Sequence, residues 1–259
     1  MFDLVGRFIP HSSQSTYREP CSDFYKLNLP FPNQLKVRDH PDKSVEIDHV
    51  NDSLSHLLSK IKTDNQLSNI LNGPTLPFFI SKTSIPDIGE RLEKIDFPSL
   101  SNSFCKAFPK SHFKAIIQDN LQLVERLHPY PSTRYDLFLD HISRSSVVGY
   151  YFPLAFNQFS ISSQRSCMNS LPTHIPVCLS GPIEVSSVLT SYPSILFDKT
   201  SYSPILCLSG VAHYDARLIA CFKSYGPHLE FWIISNCLLP GVEQVSEQWS
   251  GGLTIYHPI

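Results

Sequence analysis

Apolar residues recur at three- and four-residue intervals through the first half of the chain and in short, dense runs through the second. Between Asp48 and Leu71, the residues Val50, Leu54, Leu57, Leu58, Ile61, Leu67, Ile70 and Leu71 share one face of a helix, or of two consecutive helices. Asn72-Gly73-Pro74 closes that pattern, because Gly accepts a left-handed terminal conformation and Pro cannot prolong a helix. Leu76-Pro77-Phe78-Phe79-Ile80 then reads as a short buried strand or extended link, with Pro77 arguing for a sheet edge. Ser84, followed by Pro86 and Asp87, predicts a helix start whose apolar face runs through Ile88, Leu92 and Ile95. Phe113, Ile116, Ile117, Leu121, Val124 and Leu127 predict another helix, stopped by His128-Pro129, and Tyr135, Phe138 and Ile142 predict a short one after it.

From Ser146 onward the pattern changes. Val147–Phe152, Pro176–Leu179, Ile195–Phe197 and Ile205–Leu208 are apolar runs bounded by turn residues, as buried strands require. Pro182–Leu189 reads as a short helix with Pro in its first turn. Ala216–Phe222 and Leu229–Ile234 flank Ser224-Tyr225-Gly226-Pro227-His228, which predicts a hairpin with a longer loop, a helix over the first segment being the competing reading. Trp249-Ser250-Gly251-Gly252 is a turn signal before a closing strand over Leu253–Tyr256. The expected fold is therefore α+β. A helix-rich N-terminal half (about 45–143) packs with a mainly antiparallel or mixed sheet in the C-terminal half (about 146–257). Residues 43–259 form a single domain, with a subdomain boundary available near 145.

Residues 1–42 break the periodicity. Pro10, Pro20, Pro30, Pro32 and Pro41 interrupt any helix, so an extended arm is expected, whose aromatic residues hold it to the body or to a partner.

Composition narrows the function. The chain has 259 residues, 42% hydrophobic and 17% charged, enough to bury a full core. A net charge of -2 gives no overall attraction to nucleic acid or anionic membranes, and the densest basic stretch, Lys106, Lys110, His112 and Lys114, reads as a solvated helix end. No apolar run is long enough to span a bilayer. The seven Cys are scattered without close pairing, so reduced thiols and a cytoplasmic location are expected. Gly is scarce, with 10 in all, whereas loops that cradle phosphates or cofactors need it; this disfavours a metabolic enzyme.

Two constellations could carry chemistry. In His213-Tyr214-Asp215 the imidazole and carboxylate are two apart, and on a strand they point to the same face; His257 or His228 could complete a set of ligands for iron or zinc. The pattern is similar to that of the iron and 2-oxoglutarate oxygenases. The resemblance ends there, because those enzymes place a basic residue after the distal His and only Pro258 and Ile259 follow His257. Cys178, with His174 close in sequence and a helix start following, is the candidate thiol nucleophile. Leu179-Ser180-Gly181-Pro182-Ile183 lacks the further Gly and the Lys of a phosphate loop. With no complete catalytic motif, the expected function is an interaction or regulatory accessory protein. It would contact a protein partner through Phe24, Tyr25 and Phe31. A metal- or Cys-dependent enzyme is the alternative.

Overall fold

A computed structural model describes residues 1–10, 25–29, 47–117, 121–197, 202–239, 242–243 and 246–259. Helix α1 (Ile47–Thr63) is followed by a 3-10 turn (Ser68–Asn72) and strand β1 (Leu76–Ile80). A short helix, α2 (Ile88–Arg91), runs through a π turn into α3 (Phe97–Ala107). Next come β2 (His112–Ile116), β3 (Leu127–Pro129), α4 (Tyr135–Arg144), β4 (Val147–Asn157), α5 (Ile161–Cys167), β5 (Val177–Leu179) and α6 (Pro182–Ser191). The remainder is strand: β6 (Ile205–Cys207), β7 (Val211–His213), β8 (Leu218–Tyr225), β9 (His228–Ser235), β10 (Cys237–Leu239), β11 (Val242–Glu243) and β12 (Trp249–Pro258).

The central sheet has eight strands in the order β1-β4-β12-β6-β8-β9-β2, with β5 also paired to β12. It is mixed: β12 runs parallel to β6, and β2 parallel to β9, while the other neighbours are antiparallel. Side chains alternate across it as the pleat requires. Phe78, Ile80, Val147, Tyr151 and Tyr256 join the core formed with α3, α4 and α6. Phe79, Val148, Phe152, Leu253 and Ile255 join a second core with α1 and the buried rings of Phe2 and Phe8. The sheet therefore has a core on each face, and the α+β class holds. The helix-rich N-terminal half holds only in part, because β1 and β2 come from it.

Helix α1, the edge strand β1, helices α4 and α6 and the β8–β9 hairpin form where the periodicity places them. Other expectations are corrected. The helix expected over 113–127 is not formed by the described residues of that span. Its first third is β2, hydrogen-bonded beside β9. Farther on, Leu123 N–H and Glu125 N–H donate to the carboxylates of Glu93 and Asp87 (both 2.8 Å) in place of helical carbonyls. Gly89 makes this docking feasible, since a Cβ there would lie 2.0 Å from Leu123 O. Leu121 and Val124 are left 44% and 38% exposed. Helical spacing was real, but tertiary bonds outweighed a weak local preference.

Asp87, not Ser84, caps α2, its carboxylate accepting from Glu90 N–H. Gly73 is extended, and the left-handed glycine at this point of the fold is Gly6 (φ 81°), whose Cα packs against Gly73. Ile195–Phe197 is a buried turn, held by Asn28, whose N–H and Nδ2 donate to Ile195 O and Phe197 O. The hairpin loop is tight, two residues with Gly226 at φ 56°, because Tyr225 pairs with His228. Trp249–Gly252 is the start of central strand β12 and not a turn. Its glycines are there for contact: a Cβ on Gly251 would meet Gln164 at 2.1 Å, and one on Gly252 the Tyr151 ring at 2.1 Å.

Candidate functional site

A cleft of about 230 Å³ opens where β2, β8 and β9 end beside the β3–β7 ribbon, and two of its walls are His213 and Asp215. The ribbon builds it. Leu127 pairs with His213, and Tyr214 N–H donates to Arg126 O (2.9 Å), so two segments far apart in sequence present adjacent side chains. The Arg126 guanidinium lies 5.2 Å from the centre of the Tyr214 ring, a cation–π contact. Among the described residues, it has no hydrogen-bonding side-chain partner and no ion pair. Ile117, Leu218 and Ile233 form the apolar side of the cleft.

Asp215 organises the loop. Its Oδ1 accepts from Arg217 N–H and Nε (3.0 Å each), and its Oδ2 from Arg217 Nη2 (2.7 Å), a forked pair. Those bonds hold the Asp215 carboxyl down to about 2. His213 is buried, and its Nδ1 accepts from Asp215 N–H (3.1 Å), which places the proton of the neutral ring on Nε2. Burial lowers its pKa, the Arg126 and His128 charges add to that, and Asp215 opposes it. At neutral pH the cleft lining thus combines a neutral imidazole with two arginines, one of them already engaged by a carboxylate.

His213 and Asp215 are together, but the other residues proposed as metal ligands are elsewhere. His257 faces His56, with ring centres 6.4 Å apart, and His228 stacks on His112 at 3.8 Å. No group of three or more His, Cys, Asp or Glu among the described residues is arranged to hold a metal ion. The carboxylate such an ion would need is spent on Arg217, and two guanidiniums repel a cation.

Cys178 and His174 are likewise separate. Cys178 is fully buried on β5 opposite Thr254, and burial, together with Glu184, pushes its thiol well above the ordinary range. His174 lies at the surface, 2.6 Å from Asp64. The turn after Cys178 closes on itself. Gly181 N–H donates to Glu184 Oε1 (2.7 Å), Ile183 N–H to Tyr135 Oη (3.3 Å) and Ser180 N–H to Gly252 O (3.0 Å), so the start of α6 has no donors left for a phosphate. Glu184 also accepts from Thr254 Oγ1 and Tyr135 Oη (3.0 Å each); its full burial raises its pKa to about 7 against the opposing pull of those bonds.

Of the residues proposed to meet a partner, Phe24 and Phe31 lie outside the described residues. Tyr25 bridges to Tyr202, and its hydroxyl accepts from Gln248 Nε2 (2.8 Å). Sequence reasoning missed Arg126 and Arg217. Arg217 had a local signal, two residues after Asp215; Arg126 had none, because the β3–β7 pairing brings it in. No described helix is long and apolar enough to cross a membrane. Comparison with protein-family models, curated proteins and solved structures finds no match for the chain.

Proposed function

We propose that the protein is a non-catalytic binding protein that receives an acidic, extended segment of a protein partner. The carrying observation is Arg126, a guanidinium with no counter-ion among the described residues, on the wall of an open cleft beside Arg217 and the His213 N–H donor. A carboxylate entering there exchanges water for charge-assisted hydrogen bonds, and the apolar wall of Ile117, Leu218 and Ile233 accepts the adjoining side chain.

The strand beside the cleft favours an extended ligand. Strand β2 is the last in the sheet, most of its residues are exposed, and among the described residues no strand pairs with its outer edge. Its five residues offer roughly 16 Å of pairing surface leading to Ile117 at the cleft. Lys114 and His112 are exposed on the same strand, so a negative ligand is favoured along its length.

The test is fluorescence anisotropy with a labelled acetyl-Asp-Val-Asp-Val-Asp peptide and its Asn-Val counterpart. Saturable binding of the acidic peptide, weakened about tenfold or more by Arg126→Ala and by added salt, is expected. Equal binding of both peptides, or an unchanged affinity in the variant, contradicts the reading.

A further inference from the structure

The loop that carries the cleft residues leaves the sheet at Cys207 on β6 and returns at Cys221 on β8, and these two cysteines are direct cross-strand partners. The register says which kind of pair they are. Leu208 N–H donates to Ala220 O (3.0 Å), so 208 and 220 form a hydrogen-bonded pair, and the neighbouring pair of 207 and 221 is of the alternate, non-hydrogen-bonded kind. At such positions the Cα atoms approach to about 4.5 Å and the side chains lie closest. A disulfide accepts Cα separations of roughly 4.4–6.8 Å. Both side chains are on one face of the sheet: Cys207 packs with Ile219, two residues before Cys221 on the same strand. Both are fully buried free thiols in this structure.

We infer that Cys207 and Cys221 are a disulfide-forming pair, a covalent clasp at the neck of the loop bearing His213, Asp215 and Arg217. The oxidant is a small disulfide such as oxidised glutathione. One cysteine thiolate attacks a glutathione sulfur, forming a mixed disulfide and expelling one glutathione thiolate. The second cysteine thiolate then attacks the protein sulfur of that mixed disulfide and expels the other glutathione. The two protons lost by the cysteines end on the two released thiols, so two protein thiols are oxidised and one glutathione disulfide is reduced. Burial raises both thiols, Cys221 to about 12, so exchange is slow in the closed fold and proceeds while the chain folds or when three-residue β6 opens. The inference does not depend on what the cleft binds.

The experiment uses the full chain, refolded with oxidised glutathione or with a thiol reductant, then denatured with an alkylating agent and digested with trypsin. Cleavage after Arg217 separates the two cysteines onto peptides 200–217 and 218–223. Expected is a linked pair of these peptides, lighter by two hydrogens than their sum, as the main form of both cysteines in the oxidised sample and absent from the reduced one. Recovery of both cysteines alkylated after oxidation overturns the inference, as does linkage of either to a different cysteine. Because the mapping is done on the unmodified chain, it does not rely on a variant folding.

Discussion

The Glu184 cluster and the Arg126–Arg217 cleft are built from similar chemistry and end in opposite states. Around Glu184, a carboxylate, two hydroxyls and the first turn of α6 meet in a buried space, and the Tyr135 and Thr254 hydroxyls and the Gly181 N–H all donate to the carboxylate. At the cleft, Asp215 answers Arg217, yet Arg126 is left facing an open volume. The closed cluster uses ionisable groups to fix the packing of α4, α6 and β12. The open one leaves charge available to a second molecule. Residue types alone do not distinguish them; access does.

Removing the buried carboxylate breaks the closed side hardest. Glu184→Ala strands the Gly181, Thr254 and Tyr135 donors without water, and a loss of about 3–5 kcal/mol in urea unfolding is expected. Gly252→Ala tests the same lack of slack by pushing a methyl into the Tyr151 ring, at an expected cost of about 2–3 kcal/mol.

The pH dependence separates Glu184 charge from shape. Its folded pKa, about 7, lies above the ordinary 4.5, so the unfolded chain releases this proton first as pH rises. Stability from this group is complete below pH 4.5 and lost by pH 7, a decline of about 3 kcal/mol. Asp96, raised from 3.8 to about 6 by burial against the pull of Arg91, adds a decline of the same sign at lower pH. Glu184→Gln should keep the Asp96 portion and lose the rest. An identical slope in the variant would show that Glu184 is not protonated in the fold.

On the open side, variants should change binding and spare folding. Arg126→Ala leaves the urea midpoint in place while weakening the acidic peptide. Asp215→Asn releases Arg217 and removes a like charge, so the peptide should bind a few-fold more tightly at low salt. The smallest effect belongs to His213. A bound carboxylate favours the imidazolium against burial and the Arg126 and His128 charges. Affinity should therefore rise modestly as pH falls through 6.5 and below, and His213→Gln should flatten that trend.

What the sequence discloses follows the same division. Elements decided by their own residues are visible in it: α1 and α4 through one apolar face, β4 through an unbroken apolar run, and α6 through the proline in its first turn. Segment 113–127 is decided by Asp87, Glu93 and β9, and Trp249–Gly252 by the rings and amides pressed against its glycines, so neither is readable locally. At the cleft, His213 and Asp215 stand out as a short motif, but the metal chemistry that the motif suggests ignores Arg217, which takes the carboxylate. Arg126 and the Cys207–Cys221 pairing depend on strand register, which a one-dimensional pattern does not contain.

The most direct test of the cleft as an anion site is an NMR titration of the His213 imidazole and arginine side-chain signals with the Asp-Val peptide, in the natural chain and in Arg126→Ala. Saturable shifts at His213, Arg126 and Arg217, lost in the variant and absent with the Asn-Val peptide, are the result this account predicts. Shifts confined to the Lys106–Lys114 stretch, or equal at His213 with and without Arg126, would contradict it.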